Sequence, residues 1–244
     1  MPSLPPPPRL QELTSTHRIA LFLDCDGTLI ELAPGPDEVH LPGYLPAGLA
    51  ALSRTLEGRL AIVSGRSVDW LHAAGFGAHV LAGTHGTELW WPGIGLDRAA
   101  RPAGLDEVDA AFHTFAAERP GVIVERKALA AGLHFRKVPA QGDAALTLAG
   151  KLARLTGLEL QPGKMMVELR APGGSKGTAA SALMARHPFT GAMPVFVGDD
   201  ITDEEGFVAV ARAGGFGIAV GERDSAAASY HLPDVAAVHR WLML

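Results

Sequence analysis

The sequence predicts an α/β fold, a doubly wound, Rossmann-like parallel sheet interrupted by an inserted α+β domain. Three observations carry that expectation. Short unbroken apolar runs at 19–23, 60–63, 194–197 and 217–220 suit strands covered on both faces. Stretches with helical periodicity stand between them, so strand and helix alternate through the outer parts of the chain. Polar clusters follow three of the runs directly: Asp24-Cys25-Asp26-Gly27-Thr28, Ser64-Gly65-Arg66 and Gly198-Asp199-Asp200. Open α/β sheets bind ligands outside the carboxyl ends of their strands.

Composition narrows the class. A chain of 244 residues holds one large domain or two small ones. With 48% apolar and 19% charged residues it is globular, and a net charge of −5 argues against a nucleic-acid partner. Cys25 is the only cysteine, which excludes an intrachain disulfide and fits a reducing compartment. No apolar run approaches the ~20 residues that span a bilayer. The start, MPSLPPPPRLQ, lacks a signal-peptide core. The expectation is a soluble cytoplasmic protein, with oligomeric state open and a monomer compatible. Four consecutive prolines favour an extended, loose arm over residues 1–17.

The elements follow in order. Residues 19–23 form the first strand, and Asp24 and Asp26 leave its end on one side if the strand direction holds. Adjacent acids repel unless a cation or a shared proton relieves them. Pro34, Gly35, Pro36, Pro42 and Gly43 mark a loop. Leu45, Leu49, Leu52 and Leu56 keep one helix face, ended by Gly58. The strand at 60–63 follows, then a helix capped by Ser67 with Val68, Leu71 and Ala74 inward. Residues 80–82 are a third strand, 88–91 part of a hairpin, and 92–106 a connection.

Residues 105–118 form a helix with Val108, Phe112 and Phe115 on one stripe. Strands are expected at 122–127 and 133–138, then a helix from Asp143 with Leu146, Leu152 and Leu155 inward, then a strand at 165–170. Helix, two strands, helix and strand suggest an α+β module with an antiparallel sheet. Lys176 opens a helix, 194–197 and 217–220 are strands, a helix starts near Asp203, and Val235, Val238 and Leu242 suit a terminal helix. The domains are therefore a core of 18–102 and 173–244, with 103–172 inserted as a lid. Nucleotide loops fail: Met165 follows Gly163-Lys164 where Ser or Thr is needed, and Val220 stands where a third glycine should close Gly215-Phe216-Gly217. His72, His79, His113 and His187 have no assignable partner and read as structural or exposed.

Gathered at one sheet edge, the carboxylates suit a hard divalent cation such as Mg²⁺. A nearby hydroxyl and lysine supply the donor and the positive charge that a phosphoryl group requires. In this order, DCDGT, SGR, SKG and GDDITDE resemble the four signature motifs of haloacid dehalogenase-superfamily phosphatases. The resemblance implies that Asp24 is the nucleophile and Asp26 the general acid and base. It implies that Mg²⁺ is held by Asp24, the Asp26 carbonyl and Asp199, with Asp203 beside them and Asp200 orienting. Ser64 would bond the phosphoryl oxygens and Lys176 would neutralise Asp24 and the phosphate.

LAGTHG, VERKALAAGLHFRKV and GKMMVELRAPGGSKG extend the resemblance to the trehalose-6-phosphate phosphatases, over nearly the whole chain from Arg18. The substrate implied is a small sugar phosphate, with Gly65, Arg66 and His85 among its contacts. In the insert, Glu125 and Lys127, His134 and Arg136, and Lys164 and Glu168 pair on strand faces. A disaccharide is gripped best by side chains that make several hydrogen bonds at once. A solvent-facing side of an antiparallel sheet would show the same pattern. The alternatives are a phosphatase for sucrose 6-phosphate or mannosyl-3-phosphoglycerate, a phosphosugar mutase, and a sugar-phosphate-binding regulator without turnover.

Overall fold

The computed structural model describes residues 4–33 and 38–244, so the loop expected at Pro34, Gly35 and Pro36 lies outside the described residues. The chain divides into two compact units, one of Met1–Leu32, His40–Asp97 and Gly174–Leu244, the other of Ala33–Val39 and Arg98–Gly173. In chain order the first unit holds α1 (Leu10–Thr16), β1 (Ile19–Leu23), α2 (Leu45–Thr55), β2 (Leu60–Val63), α3 (Val68–Leu71), β3 (Val80–Gly83), β4 (Glu88–Trp91) and β5 (Gly95–Arg98). Next come α4 (Leu105–Ala117), β6 (Ile123–Arg126), β7 (Ala130–His134), α5 (Gly142–Thr156), β8 (Glu159–Gly163) and β9 (Met166–Arg170) of the second unit. The chain then returns with α6 (Lys176–Met184), β10 (Met193–Gly198), α7 (Glu204–Arg212), β11 (Phe216–Val220), β12 (Tyr230–Leu232) and α8 (Val235–Leu242).

The first unit is built on one sheet in the order β12-β11-β10-β1-β2-β3-β4-β5. β12 through β3 run parallel, and β4 turns back antiparallel to β3. From β1 the chain goes to β2 on one side, and only later fills β10 on the other. That reversal makes the gap between β1 and β10 the topological switch point, where such sheets open a crevice. All five residues of β1 are buried. Phe22 stacks on Phe189 and Phe196, with ring centroids 5.5 and 6.3 Å apart, over Ala179, Ala180 and Leu183 of α6. Burying a phenylalanine or leucine side chain contributes about 1.5–3 kcal/mol.

The second unit is an antiparallel sheet in the order β6-β7-β9-β8. One face packs Leu133, Val167 and Leu169 against Leu105, Val108 and Phe112 of α4 and Ala145 and Ala149 of α5. The opposite face is polar, and its register sets Glu125, Gly132, Glu168 and Gln161 in one row across the four strands.

Several expectations are corrected. Strands β5, β8 and β12 and helix α1 were not anticipated. All three strands lie at sheet edges, where one side needs no partner strand and apolar patterning is weak; β8, Glu-Leu-Gln-Pro-Gly, even tolerates proline. β7 is Ala130–His134 rather than 133–138, because small, weakly strand-forming residues carry the pairing while Phe135 is buried beyond its end. In α5, Leu146 and Leu155 are exposed; alanines face the sheet instead and let the helix approach it closely. The proline segment is docked rather than loose. The Pro5 carbonyl accepts from the His231 N–H at 3.0 Å and the Pro8 carbonyl from Trp241 Nε1 at 2.8 Å. Leu10 and Leu13 behind it are buried. Prolines offer no N–H, so their carbonyls do the docking. Among the described residues no helix is long and apolar enough to cross a membrane.

His79 precedes β3 with 2% of its surface exposed and, among the described residues, no hydrogen-bond partner for either ring nitrogen. Burial pushes its pKa down to about 4. The unfolded chain takes up this proton near pH 6.5 and the native state does not. The stability is therefore present above about pH 6.5 and lost as pH falls through 4, by an amount on the order of 3 kcal/mol. His79→Leu removes the dependence: in urea titrations, the variant gains on the parent steadily between pH 7 and 4. A constant difference over that range contradicts the assignment.

Candidate active site

Asp24 is the first residue past β1 and 3% exposed. Its N–H donates to the Val197 carbonyl at 2.9 Å, which extends the β1–β10 ladder by one step and fixes where the side chain leaves. Asp24 Oδ1 accepts from Lys176 Nζ at 2.7 Å, and the same ammonium reaches Asp203 Oδ1 at 2.7 Å. Lys176 stands at the first position of α6 because Ser175 and Thr178 form a reciprocal capping box that starts the helix there. Asp203 Oδ2 accepts from the Asp200 N–H at 2.9 Å. Two glycines make the crowding possible. A β-carbon on Gly198 would collide with the Asp203 carboxylate, and one on Gly27, whose φ is +83°, would collide with Asp199.

Charge dominates this cluster. Burial, and then the Asp203 charge, hold the Asp24 carboxyl well above the usual range, against the pull of Lys176. Burial and the same Asp203 charge push Asp199 up to about 7. Burial raises Asp203 as well, with Lys176 opposing. Burial works against the Lys176 ammonium, but the Asp203 and Asp24 carboxylates more than offset it and hold its pKa above the ordinary lysine value. One lysine thus serves three acids. Carboxylate oxygens of Asp24, Asp199 and Asp203 lie within 4.8 Å of one another, and among the described residues the buried Asp199 Oδ1 atom has no hydrogen-bond partner. An all-oxygen donor set with an unsatisfied buried anion fits a hard divalent cation.

Asp26 has a different environment. Arg66 donates to both of its oxygens, Nε to Oδ2 at 2.8 Å and Nη2 to Oδ1 at 2.7 Å, and the guanidinium lies 4.3 Å from the Trp70 ring centre. Ser64, 1% exposed, follows β2, and its Oγ accepts from the Arg66 N–H at 3.1 Å. The turn after β3 is tied to this loop. Thr84 N–H donates to the Arg66 carbonyl at 2.8 Å and His85 N–H to the Ser64 carbonyl at 3.0 Å. The His85 ring lies against the α-carbon of Gly65. Thr84 and His85 have φ of 46° and 54°, a left-handed pair that costs on the order of 1 kcal/mol per residue. Sequence reasoning missed Glu88, which supports this turn. Fully buried, its Oε2 accepts from the Val68 N–H at 2.8 Å and from Thr84 Oγ1 at 3.0 Å. The available signal was an acid at the head of an apolar strand, Glu-Leu-Trp-Trp.

In the second unit, four of the six singled-out side chains connect. His134 Nε2 lies 2.9 Å from Glu125 Oε2, Lys127 Nζ lies 3.8 Å from the same oxygen, and Lys127 donates to Glu168. Arg136 and Lys164 fall beyond the strand ends. The Arg136 guanidinium bonds the Ala33 and Lys164 carbonyls, and Lys164 is exposed in the β8–β9 turn.

A buried Asp–Lys–Asp cluster at the switch point of a parallel α/β sheet, in a chain that inserts a second domain between the halves of the first, defines an α/β site suited to phosphoryl chemistry. Similarity to known proteins agrees. The trehalose-phosphatase family model matches residues 22–236. The chain is 39% identical over 239 residues to the trehalose-6-phosphate phosphatase of Escherichia coli K12, covering 95% of this chain and 90% of that one. The C-terminal domain of the C. albicans trehalose-6-phosphate phosphatase superposes with a TM-score of 0.84 over 99% of this chain and 98% of that one, at 23% identity. A haloacid dehalogenase-like hydrolase of Bacteroides thetaiotaomicron shares the fold at TM-score 0.63 and 15% identity, covering 92% of this chain and 99% of that one. The chain belongs to the trehalose-phosphatase family.

Proposed function

We propose that this phosphatase hydrolyses trehalose 6-phosphate to trehalose and inorganic phosphate through a phosphoryl group carried on Asp24. The observation that carries the reading is the buried Asp24–Lys176 contact inside a cluster of carboxylates, in a chain of this family. Asp24 is aimed by the ladder bond of its N–H, so its carboxylate is positioned without further ordering. Its oxygen attacks phosphorus, and the bond from phosphorus to the sugar oxygen breaks. Asp26 gives its proton to the leaving oxygen, then takes one from the water that attacks the phosphoryl-aspartate, which releases phosphate and restores Asp24. Arg66 grips both oxygens of Asp26 in this structure, and so fixes where its carboxyl group stands. Ser64 and Lys176 donate to the phosphoryl oxygens. Asp24 and Asp199 would hold Mg²⁺, with the Asp26 carbonyl and Asp203 alongside, and the ion would supply Lewis-acid polarisation and charge neutralisation.

The linked set His134, Glu125, Lys127 and Glu168 supports a disaccharide as the alcohol part. It offers donors and acceptors side by side on one face of the antiparallel sheet. Gly65, Arg66, His85, Arg136 and Lys164 remain assigned to the substrate on the resemblance. The lone Cys25 is buried and free, which suits a cytoplasmic enzyme of trehalose biosynthesis. The test is product identity. With Mg²⁺ and trehalose 6-phosphate, free trehalose and phosphate should appear in equal amounts, and chelation should stop both. An isomerised sugar phosphate, or binding without turnover, overturns the reading.

A further inference from the structure

Arg223 stands on the loop between β11 and β12, outside every motif used above. Its guanidinium reaches the loop that follows β10. Nε donates to the Asp199 carbonyl at 3.1 Å, and Nη2 donates to the Asp200 carbonyl at 3.1 Å and to Glu204 Oε1 at 2.7 Å. Nη1 donates to the carbonyl of Asp224 at 2.8 Å. Glu204 is anchored in turn, because its Oε2 accepts from the Ala227 N–H at 3.0 Å. The planar fork and fixed charge of a guanidinium allow this multiple grip, which a lysine cannot copy.

One peptide plane receives most of the effect. The carbonyl of the Asp199–Asp200 peptide accepts from Arg223, and its N–H donates to Asp203 Oδ2 at 2.9 Å. The plane is clamped on both edges. That clamp fixes the backbone rotation next to the α-carbon of Asp199, and hence the direction in which its carboxylate leaves the chain. The same loop carries Asp203, so two of the three clustered acids hang from it. With like charges this close, the loop is where the site would relax open, and charge-assisted bonds to its carbonyls oppose that.

We propose that Arg223 is a positioning residue for divalent-cation binding, holding the Asp199–Asp203 loop in the geometry that the cation needs. The inference rests on reading Asp24, Asp199 and Asp203 as the cation site. Partners that orient metal ligands are worth about 10–100-fold in metal affinity. The experiment is calorimetric titration of the full chain with MgCl₂ in the absence of substrate, together with the rise in Tm that Mg²⁺ produces. Arg223→Met should raise the Mg²⁺ Kd about 10-fold or more, and Arg223→Lys should fall between, since it keeps the charge and loses the fork. Turnover of both should return towards the parent value at saturating Mg²⁺. Should Arg223→Met fail to fold, Arg223→Lys carries the test alone. Variants with a lowered Tm and an unchanged Mg²⁺ Kd would show a structural tether only, and overturn the proposal. So would lost turnover that Mg²⁺ does not restore. A parent chain that binds no Mg²⁺ overturns the cation reading with it; parental binding with unchanged variants overturns this inference alone.

Discussion

Asp24→Asn removes turnover, by about 10⁴-fold or more, and leaves a folded protein. The amide oxygen can still accept from Lys176, so the hydrogen bond survives while the attacking charge is gone. Burial and the Asp203 charge make the Asp24 carboxylate uncomfortable in the metal-free protein. Replacing it with a neutral isostere therefore relieves repulsion. The metal-free Tm of Asp24→Asn should equal or exceed that of the parent, and the increment added by Mg²⁺ should shrink. Phosphate release measured with an excess of enzyme, beside thermal melts in chelator and in Mg²⁺, checks both halves. Retained turnover would remove Asp24 from the nucleophile's role, and a large loss of metal-free stability would contradict the charge balance described for the cluster.

Lys176→Met has the second-largest expected effect, and it strikes stability as well as rate. The ammonium is 3% exposed and lies 2.7 Å from both Asp24 and Asp203. Removing it strands buried carboxylates without a cation, and breaking such a pair costs about 3–5 kcal/mol. Melts in chelator should show Tm lower by on the order of 10 °C. Because a bound divalent cation supplies positive charge to the same oxygens, Mg²⁺ should narrow that gap. Turnover should fall by about 10²–10³-fold even at saturating Mg²⁺, since the donor to the phosphoryl group is lost. Equal Tm values in chelator, or undiminished turnover, would show that the lysine is dispensable. The contrast between the two variants is informative: both lose activity, but only Lys176→Met should lose metal-free stability.

The central strands of the first unit were legible because they are continuous apolar runs buried on both faces, and β1, β2 and β10 fall where those runs predict. The edge strands β5, β8 and β12 were not, since a strand with one open side carries no such run. Leu146 and Leu155 misled for a related reason. Helical spacing says which residues share a face, and close packing of α5 then chose the alanine face. At the candidate site, Asp24, Ser64, Lys176 and Asp199 stand out in the sequence because each follows a strand or opens a helix in an ordered set of motifs, and the structure brings Asp24, Lys176 and Asp199 together. Glu88 and Arg223 were not. Arg223 bonds the Asp199 and Asp200 carbonyls and Glu88 accepts from the Val68 N–H, and a bond to a backbone group leaves no pattern in the residues of the segment that supplies it.

The most direct measurement of the proposed function is phosphate release across a substrate panel in Mg²⁺, with trehalose 6-phosphate set beside sucrose 6-phosphate, glucose 6-phosphate and mannosyl-3-phosphoglycerate. The expected result is a kcat/KM for trehalose 6-phosphate far above the rest, abolished in Asp24→Asn. A flat profile, or a different preferred substrate, contradicts it.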